Sequence, residues 1–209
     1  MTETEPGLSA GVNCGFTQAL RWLDEGRRVA VASVMAVSGG PFPPPGSLFA
    51  VAEGGGAAGS VSGGCIEDSV VRQALRAIED GEQRELVYTV TDAVARSEAG
   101  LAAGGRIELY LEPLDPGSRP HRLLERAAKA WAEGRPVALV SDLITGLKTL
   151  VYPHAVHGAF GLDEPVLEEV RRCLEARRSA VLEPGEDGRL FVHIFAPDFG
   201  PDSQINAAP

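Results

Sequence analysis

Along the chain, apolar stripes at helical spacing alternate with short apolar runs of strand length, and this alternation constrains the fold more than any other feature. Phe16, Ala19, Leu20 and Leu23 recur at i, i+3, i+4 and i+7 and end at Gly26, placed like a glycine just past a helix. Arg28–Val37 follows as a nearly continuous Val/Ala/Met run, the pattern of a buried strand. Strand-like stretches recur at Leu48–Ala52, Glu85–Thr91, Arg106–Leu111, Pro136–Leu143 and Leu147–Tyr152. Two more, Ala180–Leu182 and Leu190–Phe195, read as a hairpin around Pro184-Gly185. Helical stripes run through Ile66–Ile78, Leu123–Trp131 and Val166–Leu174. Asp92–Ala99 fits one or two helical turns. The class this predicts is α/β: a mixed sheet covered by helices, as a single compact unit or two small α/β lobes.

The organisation follows from the breaks. Residues 1–13 read as a flexible arm and 197–209 as a tail. The Pro/Gly-rich Leu114–Pro120 stretch separates a region 14–117 from a second α/β region, 118–196. The segment Trp22-Leu-Asp-Glu-Gly-Arg-Arg-Val-Ala-Val has an echo, one residue gapped, in Trp131-Ala-Glu-Gly-Arg-Pro-Val-Ala-Leu-Val. Either the chain is duplicated, or both are ordinary helix-to-strand turns.

Composition excludes several function classes. With 19 Lys+Arg against 29 Asp+Glu and a net charge of -10, the surface does not suit nucleic acid or an anionic membrane. No apolar run reaches the ~18–20 residues of a membrane helix, and Met1–Gly7 lacks a basic signal-peptide start. The cysteines Cys14, Cys65 and Cys173 are far apart and form no C-x-x-C pair, which argues against a disulfide framework or zinc ribbon. A cytoplasmic protein is the expectation.

The 25 glycines concentrate at three loops. The block Gly59-Ser-Val-Ser62-Gly63-Gly64-Cys65-Ile-Glu67 opens the 66–80 helix. Unpartnered N–H groups at a helix start suit an anion, and Gly63 and Gly64 let one approach the backbone. A strand-to-helix turn needing glycine for its dihedrals explains the same pattern. Cys65 sits where a thiol pKa falls. At the reference value about 3% is thiolate at pH 7, and a drop of roughly two units makes thiolate the main form. The competing reading is a small buried apolar residue, which suits Cys173 on its stripe. The second loop, Ser38–Ser47, carries four prolines including Pro45, beside Gly46. The third, Gly100-Leu-Ala-Ala-Gly104-Gly105-Arg106, leads into a strand whose arginine is an anion contact or an exposed strand end. His154-x-x-His157 has metal-ligand spacing but no third ligand at a recognisable position. No G-x-G-x-x-G, Walker or G-x-S-x-G motif occurs, so no dinucleotide (NAD) site and no serine triad is visible.

Taken together, the loops resemble the XdhC/CoxI family of molybdenum hydroxylase maturation factors. The likeness lies in the strand–proline loop Val34–Gly46, the Gly59–Glu67 block, and Gly100–Leu114 with its Gly-Gly-Arg-Ile-Glu and Glu-Pro-Leu. It covers the family's N-terminal domain, about Trp22–Leu114, without its C-terminal Rossmann domain. The resemblance implies a non-enzymatic accessory protein that binds molybdenum cofactor (molybdopterin) and delivers it to an apo molybdenum hydroxylase of the xanthine or carbon monoxide dehydrogenase type. Other implied partners are a cysteine desulfurase, a separate Rossmann-domain protein and further copies of the chain. Cys65 is the implied molybdenum or sulfur contact. The cofactor-binding set is completed by Ser62, Gly63, Gly64, Glu67, Pro45, Gly46, Gly104, Gly105 and Arg106. The sequence departs from the family at Gly40-Pro41-Phe42, where Ser-Pro-Arg is common. It departs again at Ser47-Leu48-Phe49, which lacks a basic residue, and at Ala103, where a second cysteine often stands. These losses imply the alternative: an assembly subunit that no longer holds cofactor and docks a Rossmann partner. A third reading makes Cys65 the nucleophile of a thiol enzyme.

Overall fold

A computed structural model describes residues 14–40, 42–89, 105–185 and 188–196. The elements begin with helix α1 (Cys14–Asp24), then strands β1 (Val29–Ser38), β2 (Leu48–Ala52) and β3 (Ala57–Gly59). Helix α2 (Glu67–Asp80) and strands β4 (Arg84–Thr89) and β5 (Arg106–Leu114) complete the first half. The second half runs α3 (Arg119–Ala132), β6 (Val137–Asp142), β7 (Lys148–Tyr152), β8 (Ala155–Gly158), α4 (Glu164–Glu175), β9 (Ala180–Leu182) and β10 (Leu190–Phe195). The α/β class takes its two-lobe form, and the mixed sheet expected from the alternation resolves into two antiparallel sheets. Their strand orders are β3-β2-β1-β5-β4 and β8-β7-β6-β10-β9. The helices do not act as parallel crossovers; in each sheet a three-strand meander is joined to a two-strand hairpin by a long-range antiparallel pair, β1 with β5 and β6 with β10. Strands β3 and β8 escape a sequence reading because they are short, with glycine or exposed residues. The Asp92–Ala99 turns lie outside the described residues.

The two orders are the same pattern twice, so the echo is a duplicated unit at the level of topology. Gly26 and Gly134 both take left-handed φ, at 82° and 72°. Their N–H groups donate to Leu23 and Trp131 carbonyls, both at 3.0 Å. These caps align without the one-residue gap and set Trp131 opposite Leu23, not Trp22. Register then fixes further equivalents. Ser33 pairs with Leu48 and Tyr110, and Ser141 with Lys148 and Phe191. Val31 pairs with Glu112, and Leu139 with His193.

Each sheet buries both faces. α2 covers the outer face of the first sheet through Val70, Ala74, Ala77 and Ile78. α4 does the same for the second with Leu167, Val170 and Leu174. Between the sheets, α1 and α3 join a shared core in which Phe16, Leu23, Val29, Leu124, Ala127, Leu139 and Phe195 pack together. Burial at ~25 cal/mol per Å2 makes this shared core the main tie between the halves. The break at Leu114–Pro120 falls in the connection between β5 and α3. Ser118 caps α3, its hydroxyl accepting from the His121 amide at 3.3 Å. Among the described residues, no helix is long and apolar enough to cross a membrane.

Gly59 shows how tightly the first loop is anchored. It has φ 90°, and a Cβ there would strike the Leu48 carbonyl oxygen and approach the Gly15 Cα. Gly59→Ala is expected to lower unfolding free energy by about 2 kcal/mol, from left-handed strain plus a backbone collision. A urea titration measures it; a midpoint equal to wild type would show that the strand edge absorbs the methyl.

Candidate functional site

The three glycine-rich loops leave the same end of the first sheet. Ser38 at the end of β1 pairs with Arg106 at the start of β5, and Thr89 at the end of β4 pairs with that same arginine. Gly59 at the end of β3 pairs with Phe49, next to the start of β2. The duplicated half provides the comparison. Between β1 and β2 lie residues 39–47, but between β6 and β7 only 143–147. Residues 60–66 join β3 to α2, against 159–163 from β8 to α4; 90–105 separate β4 from β5, against 183–189. Antiparallel hairpins need only short turns, so the extra chain at this one rim is not a requirement of the fold. Loops of this kind carry function.

The Gly59–Glu67 block folds as a cradle for an anion, and the anion is the chain's own. Glu67, the first residue of α2, turns its carboxylate back into the loop. Oε1 accepts from the Ser60 hydroxyl at 2.8 Å and from the Val61 and Ser62 amides at 3.2 and 3.0 Å. Oε2 accepts from the Ser62 hydroxyl and from the Gly64 and Ile66 amides at 3.0 and 3.2 Å. The Ser62 hydroxyl also accepts from the Cys65 amide at 3.0 Å, and the Ser60 hydroxyl from the Gly63 amide at 2.9 Å. Every amide from Val61 to Ile66 is therefore committed internally. Left-handed φ values of 80° and 115° at Gly63 and Gly64 make this turn possible. Burial pushes the Glu67 carboxyl up, but hydrogen bonds from the Ser62 and Ser60 hydroxyls and the Ser62 and Val61 amides outweigh it and hold it at about 2. The sequence correctly marks this helix start as suited to negative charge. It does not reveal that a residue inside the motif supplies that charge.

Cys65 is half-buried on the outside of this turn, its Sγ donating to the Ser62 carbonyl at 3.9 Å. Gly63 and Gly64 are exposed, with open space where a Cβ would stand. Phe42 joins the other two loops. Its ring lies where Cβ atoms on Gly40 and Gly105 would stand, at 2.7 Å from each. Phe42 is thus an apolar clasp between the proline loop and the start of β5. The remaining expected residues are dispersed. Gly46 is buried at the root of its loop against Ser179 and His193 of the second half, and Pro45 beside it is half-buried. Burial holds His193 at about 3, against the pull of its hydrogen bond with the Gly46 backbone. Arg106 is exposed and paired with Glu108 at 2.9 Å. Gly104 lies outside the described residues.

The other cysteines behave as structural or incidental groups. Cys173 packs against the α4 core, and burial raises its thiol pKa. Cys14 is exposed at the start of α1. His154 and His157 are exposed on the β7–β8 hairpin and belong to no group with metal-ligand geometry among the described residues. A different trio gathers instead: Asp24, His121 and Glu125 present ligand atoms within 4.8 Å of one another. His121 Nδ1 accepts the Gly117 amide at 3.0 Å, so the neutral ring carries its proton on Nε2. That N–H lies 3.5 Å from Asp24 and 3.9 Å from Glu125 without a hydrogen bond to either, and a protonated nitrogen is the wrong state for binding a metal.

Residues 22–90 match the model of the XdhC and CoxI family. That span includes the proline loop, the Gly59–Glu67 block and α2. A crystal structure described as a xanthine dehydrogenase from Bacillus halodurans superposes with a TM-score of 0.64 at 23% identity. The match covers 88% of this chain and 53% of that one. At this identity the likeness establishes the fold alone, and the chain spans about half the length of that structure. None of the curated proteins matches this chain.

Proposed function

We propose, taking residues 22–90 as an XdhC and CoxI family domain, that this chain assists maturation of a molybdenum hydroxylase by carrying molybdenum cofactor to the apo-enzyme. The supporting observation is the concentration of extra chain at one rim of the first sheet, where the duplicated half has only short turns. Cys65, with Ser62, Gly63 and Gly64 beside it, is the thiol through which the cargo's metal or sulfur is held. The loop amides do not fit the cofactor's phosphate, because Glu67 already takes their hydrogen bonds. In this reading Glu67 shapes the turn that presents Cys65 and makes no contact with the cargo. Partners in this role are the apo-hydroxylase and a sulfur-donating cysteine desulfurase.

The test is equilibrium binding of isolated molybdenum cofactor to the purified chain. Cys65→Ser is expected to weaken binding at least about tenfold with unchanged thermal stability, since the side chain is half-exposed. Equal binding by that variant would end the thiol's role, and no binding by the wild type would end the cargo role.

One observation favours the second reading, an assembly subunit that docks a separate Rossmann-domain protein without holding cofactor: the cradle is filled by its own carboxylate. Co-purification of the chain with its partner, free of pterin fluorescence, is the result this reading expects.

A further inference from the structure

The internal duplication lets one corner of the molecule serve as a control for another. Below the first sheet, opposite the loop-bearing rim, Arg27 and Arg28 follow the α1 cap. Both are met by Glu53: the Arg27 guanidinium donates to its carbonyl at 2.8 Å, and Arg28 forms an ion pair with its carboxylate at 3.2 Å. The equivalent corner of the second half has Arg135 after the α3 cap. Register places Ala30 opposite Val51 and Ala138 opposite Val151, so the position of Glu53 is taken by Pro153. The Glu53 carboxylate has no counterpart in the second corner, where Glu133 pairs with Arg135 instead.

What stands there instead is a cleft of about 560 Å3, of small-molecule size. Arg126 and Lys129 line it from α3, Arg135 from the cap, and Tyr152, His154 and His157 from the β7–β8 hairpin. Arg126 and Lys129 have no ion-pair partner among the described residues. Arg135 is held by Glu133 and sits 6.0 Å above the Tyr152 ring, whose edge meets His157 at 5.9 Å. A second opening beside it, sharing Arg126 and His157, adds Arg119 and Arg122, with Glu125 the one acid on its wall. In a chain of net charge -10, such a concentration of cations next to an aromatic face is unusual.

We infer that this cleft binds a small phosphorylated molecule with a planar heterocyclic ring, the phosphate on Arg126 and Lys129 and the ring against Tyr152. Cations and an aromatic wall together select for that pairing, because a bare anion uses only the first and an apolar ring only the second. The same chemistry is offered by a nucleotide and by a phosphorylated pterin. The cleft is lined by residues of the second half alone and shares none with the Gly59–Glu67 loop, so it stands apart from the Cys65 reading.

Isothermal titration of the full chain with inorganic phosphate, AMP and 6-hydroxymethylpterin monophosphate tests it. At least one ring-bearing ligand is expected to bind about tenfold more tightly than inorganic phosphate. R126A/K129A is expected to weaken that binding at least about tenfold, and R126E/K129E to abolish it. Tyr152→Ala brings the ring-bearing ligand down to the level of inorganic phosphate. R27A, at the balanced corner, and Cys65→Ser leave it unchanged. Preference for AMP identifies a nucleotide site, and preference for the pterin identifies a second cofactor contact. No binding by any of the three, or R126A/K129A binding like wild type with its melting temperature intact, overturns the inference.

Discussion

Lys148→Met is expected to remove about 3–5 kcal/mol of folding stability. The ammonium is almost fully buried between the sheets, 2.6 Å from the Glu112 carboxylate and 2.7 Å from the Ser141 hydroxyl. It also lies 5.2 Å from the centre of the Tyr110 ring. Removing it leaves the Glu112 charge buried without a partner, and that desolvation cost is the source of the loss. The paired replacement Glu112→Leu/Lys148→Met is expected to recover most of it, because apolar side chains of similar volume substitute well for a buried ion pair. Chemical denaturation of the single and double variants measures both. A single variant as stable as wild type, or a double variant no better than the single, would show that the pair is not what the interface depends on. The pair is also where the two halves cease to be copies. By register the equivalents of Lys148 and Glu112 are Leu48 and His193. One copy thus supplies the cation, the other the anion, and a neutral histidine occupies the position related to the carboxylate.

Glu67→Ala is the second large effect, expected at about 3 kcal/mol. It deletes an acceptor of six hydrogen bonds and releases the loop that presents Cys65. The pH dependence has a definite sign. The folded carboxyl titrates at about 2 against an ordinary 4.5, so its contribution is fully present above about pH 4.5 and is lost as pH falls toward 2. After allowance for solvent screening of a half-exposed group, that part amounts to about 2 kcal/mol. The stability difference between wild type and Glu67→Ala, followed by urea titration from pH 7 downward, should hold constant to about 4.5 and then shrink. A difference independent of pH across that window would mean the carboxylate is not held as an anion. In either case Cys65 alkylation should quicken in the variant, because the turn around it has lost its central acceptor.

Much of the architecture was legible before any coordinates. The helical stripes at Ile66–Ile78 and Leu123–Trp131 follow from periodicity, since burying one face dictates the spacing, the β1 strand from its continuous Val/Ala run, and the β9–β10 hairpin from the Pro184-Gly185 turn. The pairing of the strands was not legible. A parallel and an antiparallel sheet use similar apolar runs when both faces are covered, and here α1 and α3 on one side and α2 and α4 on the other cover them. The duplication stood undecided between two readings because the echo is ten residues long and looks gapped. Only cap hydrogen bonds and register, which are non-local, decide it.

For the candidate site the same division holds, with a physical reason. Residue types and spacing determine that the Gly59–Glu67 segment turns sharply into a helix whose start favours negative charge. That information is local, carried by glycine dihedrals and unpartnered amides. Tertiary structure decided which anion answers them, that Phe42 clasps Gly40 to Gly105, and that Gly46 faces the second half instead of the rim. It also decided that a proline stands where the first half has Glu53, in a cleft lined by Arg126 and Lys129. Each of these depends on which distant residue arrives at a given point in space, and a one-dimensional pattern of apolar and polar residues does not contain that.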